Sequence, residues 1–172
     1  IISEIPSEGI FGTIGNITAA TYSQDGKFLT AKGSAEDFKL TLSDEKIAKY
    51  GYDLKRQVNV LTNNGFELRG KMMDVELMHY LINPEKSHRI EILAKSYLNV
   101  SLEDAGEETR ESTGSLFDTE EESPVKEKDR AKEAVVTLSL GDKVWEDMSK
   151  AQSEGKLTDL YDKMEEPLLK VL

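Results

Sequence analysis

The sequence predicts an α/β domain, and three observations carry that prediction. Short β-type runs open the chain, strand-like and helix-like segments alternate through its middle, and helical stripes close it. The opening runs are 9–15 (GIFGTIG), 17–23 (ITAATYS) and 27–31 (KFLTA). Gln24-Asp25-Gly26 separates the last two, and Asp-Gly between alternating β-formers is a hairpin signal because a tight primed turn needs positive φ. An antiparallel meander is therefore expected.

Beyond it the period changes. Ser43-Asp44-Glu45 reads as a helix start with acids in its first turn, followed by the short apolar step KIAKYGY. Leu54, Val58 and Leu61 lie at i, i+4 and i+7 on one helix face, and Asn63-Asn64-Gly65 supplies the positive-φ residue that ends such a helix. Residues 71–73 read as a buried strand that turns helical at Asp74, with Leu77, Tyr80 and Leu81 inward and Pro84 beyond the end. Ser87 or His88 starts another helix, with Ile90, Leu93, Ala94 and Tyr97 on one face. Met72, Met73 and Met78 are expected to fill core gaps. Helical pattern resumes near Glu127, where Ala131, Val135, Leu138, Trp145 and Met148 form an inward stripe, and returns in LTDLYDKMEEPLLKVL. No internal repeat is present.

Composition limits the function. A chain of 172 residues makes one domain or at most two. Zero cysteines exclude disulfides and thiolate metal sites. No run has the 18 or so apolar residues of a membrane span, and the first ten residues do not form a signal peptide, so the expected location is the cytoplasm. The missing Met and the uncapped EEPLLKVL end lead us to expect a piece of a longer protein. The net charge of −11 is the wrong sign for holding a phosphate backbone through an overall field. Residues 103–122 contain nine acids and only two sizeable apolar residues, Leu116 and Phe117, and are expected to be a solvated loop.

Residues 47–98 resemble the 3′-5′ exonuclease domain of the family A bacterial DNA polymerases. DLKRQ is similar to the family's Asn-Leu-Lys-Tyr-Asp, GFELRG to Gly-Ile-Glu-Leu-x-Gly, YLINP to Tyr-Leu-Leu/Ile-Asn-Pro, and HRIEILA to His-Asp-Leu-x-x-Leu-Ala. Further on, AVVTLSL resembles Ala-Asp-Val-Thr-Leu-x-Leu, and MEEPLLKVL resembles the helix that begins the polymerase domain. The first 35 residues match in strand order alone. The resemblance implies a ribonuclease H-like three-layer fold, a mixed five-stranded sheet flanked by helices. It divides the chain into an exonuclease-like domain at 1–155, with an acidic loop at 101–126, and the start of a helix into the polymerase domain at 156–172.

Active members of that family hydrolyse a terminal phosphodiester with two divalent ions about 4 Å apart, held by converging carboxylates. By resemblance, the first-strand pair falls on Thr13 and Gly15, the acid of the second motif on Gln57, and the Tyr and Asp of the third on Asp129 and Glu133. No acid occurs between Glu8 and Asp25, so neither of the two runs between them supplies a carboxylate pair. Catalytic residues and a bound cofactor are thus not expected here. Asp53 and Glu133 are the metal candidates should the domain be active, and magnesium belongs to the parent polymerase. Asp53 is expected to cap its helix and Asp74 the next one, ahead of any catalytic pairing of Asp74 with Glu76. His79 and His88 are too far apart in pattern for zinc. Lys55, Arg56, Arg69 and Lys71 are the candidate phosphate contacts, set among acids. The expected partners are the polymerase domain of the same parent chain and DNA, with no membrane, and a monomeric state. The expected role is a catalytically silent, structural exonuclease-like domain of a DNA polymerase I in replication and repair. The alternatives are a working proofreading exonuclease and an interaction module that binds a basic partner through the acidic loop.

Overall fold

The β-formers near the start build an antiparallel sheet in the order β1-β2-β3, from β1 (Ile2–Ser3), β2 (Ile17–Tyr22) and β3 (Phe28–Gly33). They belong to a computed structural model that describes residues 2–3, 14–102, 129–151 and 157–171. Pairing runs from Ile17 opposite Gly33 to Tyr22 opposite Phe28, around the expected turn. Gly26 closes that turn at φ +75°, its N–H donating to the Ser23 carbonyl at 3.0 Å. The first described strand lies ahead of the run at 9–15 that the sequence offered. Ile2 pairs with Thr18, whereas residues 14–16 are coil and 9–13 lie outside the described residues. Gly15 has no side chain to pack across a sheet, which weakens that run as a strand.

A second correction concerns Ser43-Asp44-Glu45. Here α1 (Lys39–Ser43) ends, and Asp44 Oδ1 accepts the Lys46 N–H at 2.8 Å in a turn. The following residues form β4 (Lys49–Gly51), parallel to β5 (Met72–Asp74), with Lys49 opposite Met72 and Gly51 opposite Asp74. Lys49 is buried, and its ammonium donates to the carbonyls of Asp44 and Arg69, tying together the loops that enter the two strands. Among the described residues the five strands make two sheets, three-stranded and two-stranded, instead of one. Among the described residues no pairing joins β1 to β4.

Met72 and Met73 point to opposite faces of β5, as successive strand residues must. They enter different cores. Met72 packs with Ile17, Leu42, Leu54, Val58 and Leu169, and Met73 with Met78, Leu93, Leu140, Val144 and Tyr161. Helices therefore cover both faces of the β4-β5 sheet, the arrangement expected of an α/β fold. α2 (Leu54–Asn63) has the predicted stripe and ends before Gly65 at φ +80°. α3 (Val75–Ile82) follows β5 directly and buries Val75, Met78 and His79; Leu77 and Leu81 pack on the core as expected, but Tyr80 is half-exposed. α4 (Ile90–Leu93) starts later than expected, with Arg89 at its N-cap, and widens into a π-turn over Ala94–Leu98.

The long helix α5 (Arg130–Lys150) lies across β2, β3 and β4, and Gly141 is the contact point with β4. A Cβ there would stand 2.1 Å from Tyr50 Cδ1, so only glycine lets helix and strand approach this closely. Its inward face is centred on Leu140, Gly141, Val144 and Met148, with Trp145 at the flank, edge-on to Tyr161. The last helical stretch consists of α6 (Leu157–Leu160), a π-turn over Tyr161–Glu165 and α7 (Glu166–Leu169). It carries Tyr161 into one core and Leu169 into the other. The expected acidic loop lies outside the described residues, apart from residues 101 and 102.

Candidate functional site

The turn from β4 into α2 positions Gln57, where the second motif would end in an acid. Gln57 is 7% exposed, and its Nε2 donates to the Tyr52 carbonyl at 2.8 Å. Gly51 makes room for this packing, since a Cβ there would meet Leu54 Cδ2 at 2.3 Å and Gln57 Nε2 at 3.4 Å. Asp53 caps α2 from a left-handed backbone at φ 52°, its carboxylate accepting the Arg56 N–H at 3.4 Å. A donating amide and a capping carboxylate thus open this helix.

Asp74, at the end of β5, is 3% exposed. Its Oδ2 accepts the Leu54 N–H at 2.7 Å, and its Oδ1 accepts the N–H groups of Glu76 and Leu77 at 3.0 and 3.3 Å. One side chain therefore satisfies the N-termini of both α2 and α3. The Asp74 N–H donates to Tyr161 Oη at 2.8 Å, and that hydroxyl donates to the Met72 carbonyl at 2.9 Å. Burial pushes the Asp74 carboxyl up to about 6, against the opposing pull of its backbone N–H donors. Tyr52 is pushed up to about 12, first by burial and then by the charges of Glu76, Glu91, Asp53 and Asp74. Among the described residues, no group of three or more His, Cys, Asp or Glu is arranged to hold a metal ion. The described residues thus do not fit a two-metal site.

At the start of α5, Asp129 is the N-cap and accepts the Lys132 N–H at 3.0 Å. Glu133 is held by Arg130, with Nη1 to Oε2 at 3.1 Å. A cleft of about 580 Å³ opens there between Thr18, Lys32, Asp129 and Arg130, and Gln57 does not line it. Gly15 lies in the coil before β2, and Thr13 is outside the described residues. The acid-free window of the sequence also does not contain β1, because Glu4 follows Ser3 immediately.

The basic candidates fall in two places, Lys55 and Arg56 on α2 and Arg69 and Lys71 along one cleft, and three of them are engaged. Lys55 Nζ donates to the Leu168 carbonyl at 3.3 Å, and Arg69 Nε to Glu67 at 2.7 Å. Lys71 pairs with Asp162 at 3.2 Å and lies 4.1 Å above the Trp145 ring. Arg56 is on the exposed face of α2. Sequence reasoning missed one pair outright. His79 and His88, judged too far apart in pattern, meet with their Nδ1 atoms 2.7 Å apart, across the Asn83-Pro84 turn. That turn, signalled by Asn-Pro, was the clue that they could meet.

Two comparisons place this architecture among known proteins. In fold, the chain is similar to the polymerase domain of Pol1 from M. smegmatis, solved in complex with DNA primer-template and dNTP. The TM-score is 0.65 at 21% identity, over 94% of this chain and 25% of that one. The chain thus spans a quarter of the length of that polymerase chain. Residues 13–105 match the family model of the DNA polymerase I ribonuclease H-like domain. The parallel β4-β5 pair with helices on both faces, entered through the β2-β3 hairpin, falls within that match, and the chain belongs to the family of DNA polymerase I ribonuclease H-like domains.

Proposed function

We propose that this domain does not cleave DNA and serves a DNA polymerase I as a structural exonuclease-like unit packed against its polymerase domain. The observation that carries the reading is Gln57. Where the family motif implies a metal-binding acid, a neutral amide is turned to donate to the Tyr52 carbonyl. Two divalent ions in one pocket need several carboxylates to balance their charge, and amides supply none. Glu133, the acid left at a motif position, is already paired with Arg130. Magnesium then belongs to the parent polymerase, a bacterial cytoplasmic enzyme of replication and repair, in which this domain acts as a monomeric part alongside DNA.

One observation favours the second reading, a working 3′-5′ exonuclease: Glu4 stands directly after β1, the strand that pairs with β2. The test is incubation of the purified chain with an end-labelled single-stranded oligonucleotide in millimolar magnesium or manganese. We expect the oligonucleotide to keep its length. Magnesium-dependent shortening that disappears in Glu4→Ala or Glu133→Ala would overturn the proposal. Shortening that survives both substitutions identifies a contaminating nuclease, and a preparation freed of it must then leave the oligonucleotide intact.

A further inference from the structure

His79 and His88 are the only histidines in the chain, and the fold brings them into direct contact. Their Nδ1 atoms are 2.7 Å apart, with ring centroids at 4.9 Å and planes at 66°. At that separation one Nδ1 carries a proton and the other offers a lone pair. His79 comes from α3 and is 3% exposed, while His88 comes from the turn that leads into α4. Each ring walls a different cleft. His79 faces one of about 610 Å³ with Lys86, Tyr97 and Asp147, and His88 one of about 460 Å³ with Glu76, Tyr80 and Glu165.

We propose that the two imidazoles form a proton-operated clasp, which holds the 84–89 turn on α3 while the pair carries at most one extra proton and releases it when both rings are charged. The chemistry follows from counting protons. In the neutral pair, one ring donates Nδ1–H and the other accepts. A first added proton leaves the bond in place as imidazolium to imidazole, which is charge-assisted. A second proton removes the acceptor lone pair and sets two like charges in contact.

Charged groups face the pair from several elements. Glu76 of α3 stands beside His88 in their shared cleft. Tyr80 and Tyr97 pack edge-on against His88 and His79. Asp147 of α5 is engaged with the Tyr97 hydroxyl, and Glu165 shares only the His88 cleft. Lys86 faces His79. Burial, then the charges of His88 and Lys86, hold the His79 imidazolium below the ordinary range, which opposes charging both rings together.

Proton NMR of the intact chain between pH 8 and 4.5 tests this directly, since only two imidazole Hε1 resonances exist. We expect each resonance to shift across both of two steps, because each ring senses the other's proton, the signature of a coupled pair. Amide exchange in residues 86–89, corrected for its intrinsic pH dependence, should accelerate about tenfold across the second step and not across the first. In His88→Gln the amide still donates to or accepts from His79 without titrating, so His79 should show one step with no acid-triggered acceleration. Two single-step curves that ignore one another, with the His79 midpoint unchanged in His88→Gln, or unchanged exchange across the second step in the wild-type chain, would overturn the clasp.

Discussion

At Asp74 two consequences of burial oppose each other. Three backbone N–H groups stabilise the carboxylate, while loss of solvent disfavours its charge, and the second effect prevails, with the folded pKa near 6. Since that value lies above the roughly 3.9 of an unfolded aspartate, the folded state holds the proton more tightly. The associated stability is complete below about pH 4 and lost as pH rises through about 6, an effect on the order of 3 kcal/mol. Asp74→Asn cannot accept all three N–H groups, because its Nδ2 would itself be a donor facing one of them. We expect the variant to lose about 1–3 kcal/mol at pH 7. Urea unfolding of both proteins should show the wild-type advantage shrinking between pH 4 and 6 and level above it, the His79 contribution being common to both. An advantage constant with pH would mean that Asp74 does not titrate where its burial implies.

At the level of elements, one hydroxyl fastens the last helical stretch to the sheet. Tyr161 Oη accepts from the Asp74 N–H and donates to the Met72 carbonyl, and the side chain is fully buried. Tyr161→Phe keeps the ring in the core and strands two buried backbone groups, so it should cost roughly 2–4 kcal/mol in urea unfolding. A loss below about 0.5 kcal/mol would mean that water or a shifted backbone replaces the hydroxyl. Elements with strong local signals were legible in the sequence. The β2-β3 hairpin was marked by Asp25-Gly26, the end of α2 by Asn63-Asn64-Gly65, and the β5-to-α3 junction by Asp74 after a Met pair. The face of α3 was legible in part: Val75, Leu77, Met78, Leu81 and Ile82 share one side of the helix and pack on the core, whereas Tyr80, expected inward with them, falls on the opposite side and is half-exposed. β4 was missed. Three residues are too few to show alternation, and the acids before them imitate a helix start.

Over the whole molecule, what escaped the sequence was pairing between distant segments. The first described strand is defined by the pairing of Ile2 with Thr18, and that pairing turned the search for site acids from the acid-free window toward Glu4. Gln57 was legible as a motif position, yet its hydrogen bond to Tyr52 depends on the β4-α2 turn. Net charge, by contrast, needs no fold to be read, and at −11 it sets acidic groups against one another across the molecule. Among the described residues the ion pairs that could offset this are mostly solvent-exposed, for example Lys39 with Glu36, Arg69 with Glu67 and Lys163 with Asp159. Such pairs contribute about 0–1 kcal/mol each and are themselves screened by salt. Repulsion among unpaired acids therefore outweighs attraction, and salt should relieve more than it removes. Raising sodium chloride from about 0.05 to 0.5 M shortens the screening length from above 10 Å to below 5 Å. At pH 7 we expect the thermal midpoint to rise by a few degrees, since ~1 kcal/mol moves the midpoint of a protein this size by roughly 2–4 °C. A midpoint that falls with salt would show that the surface pairs hold the fold against its own charge, and the ranking of the two effects would be reversed.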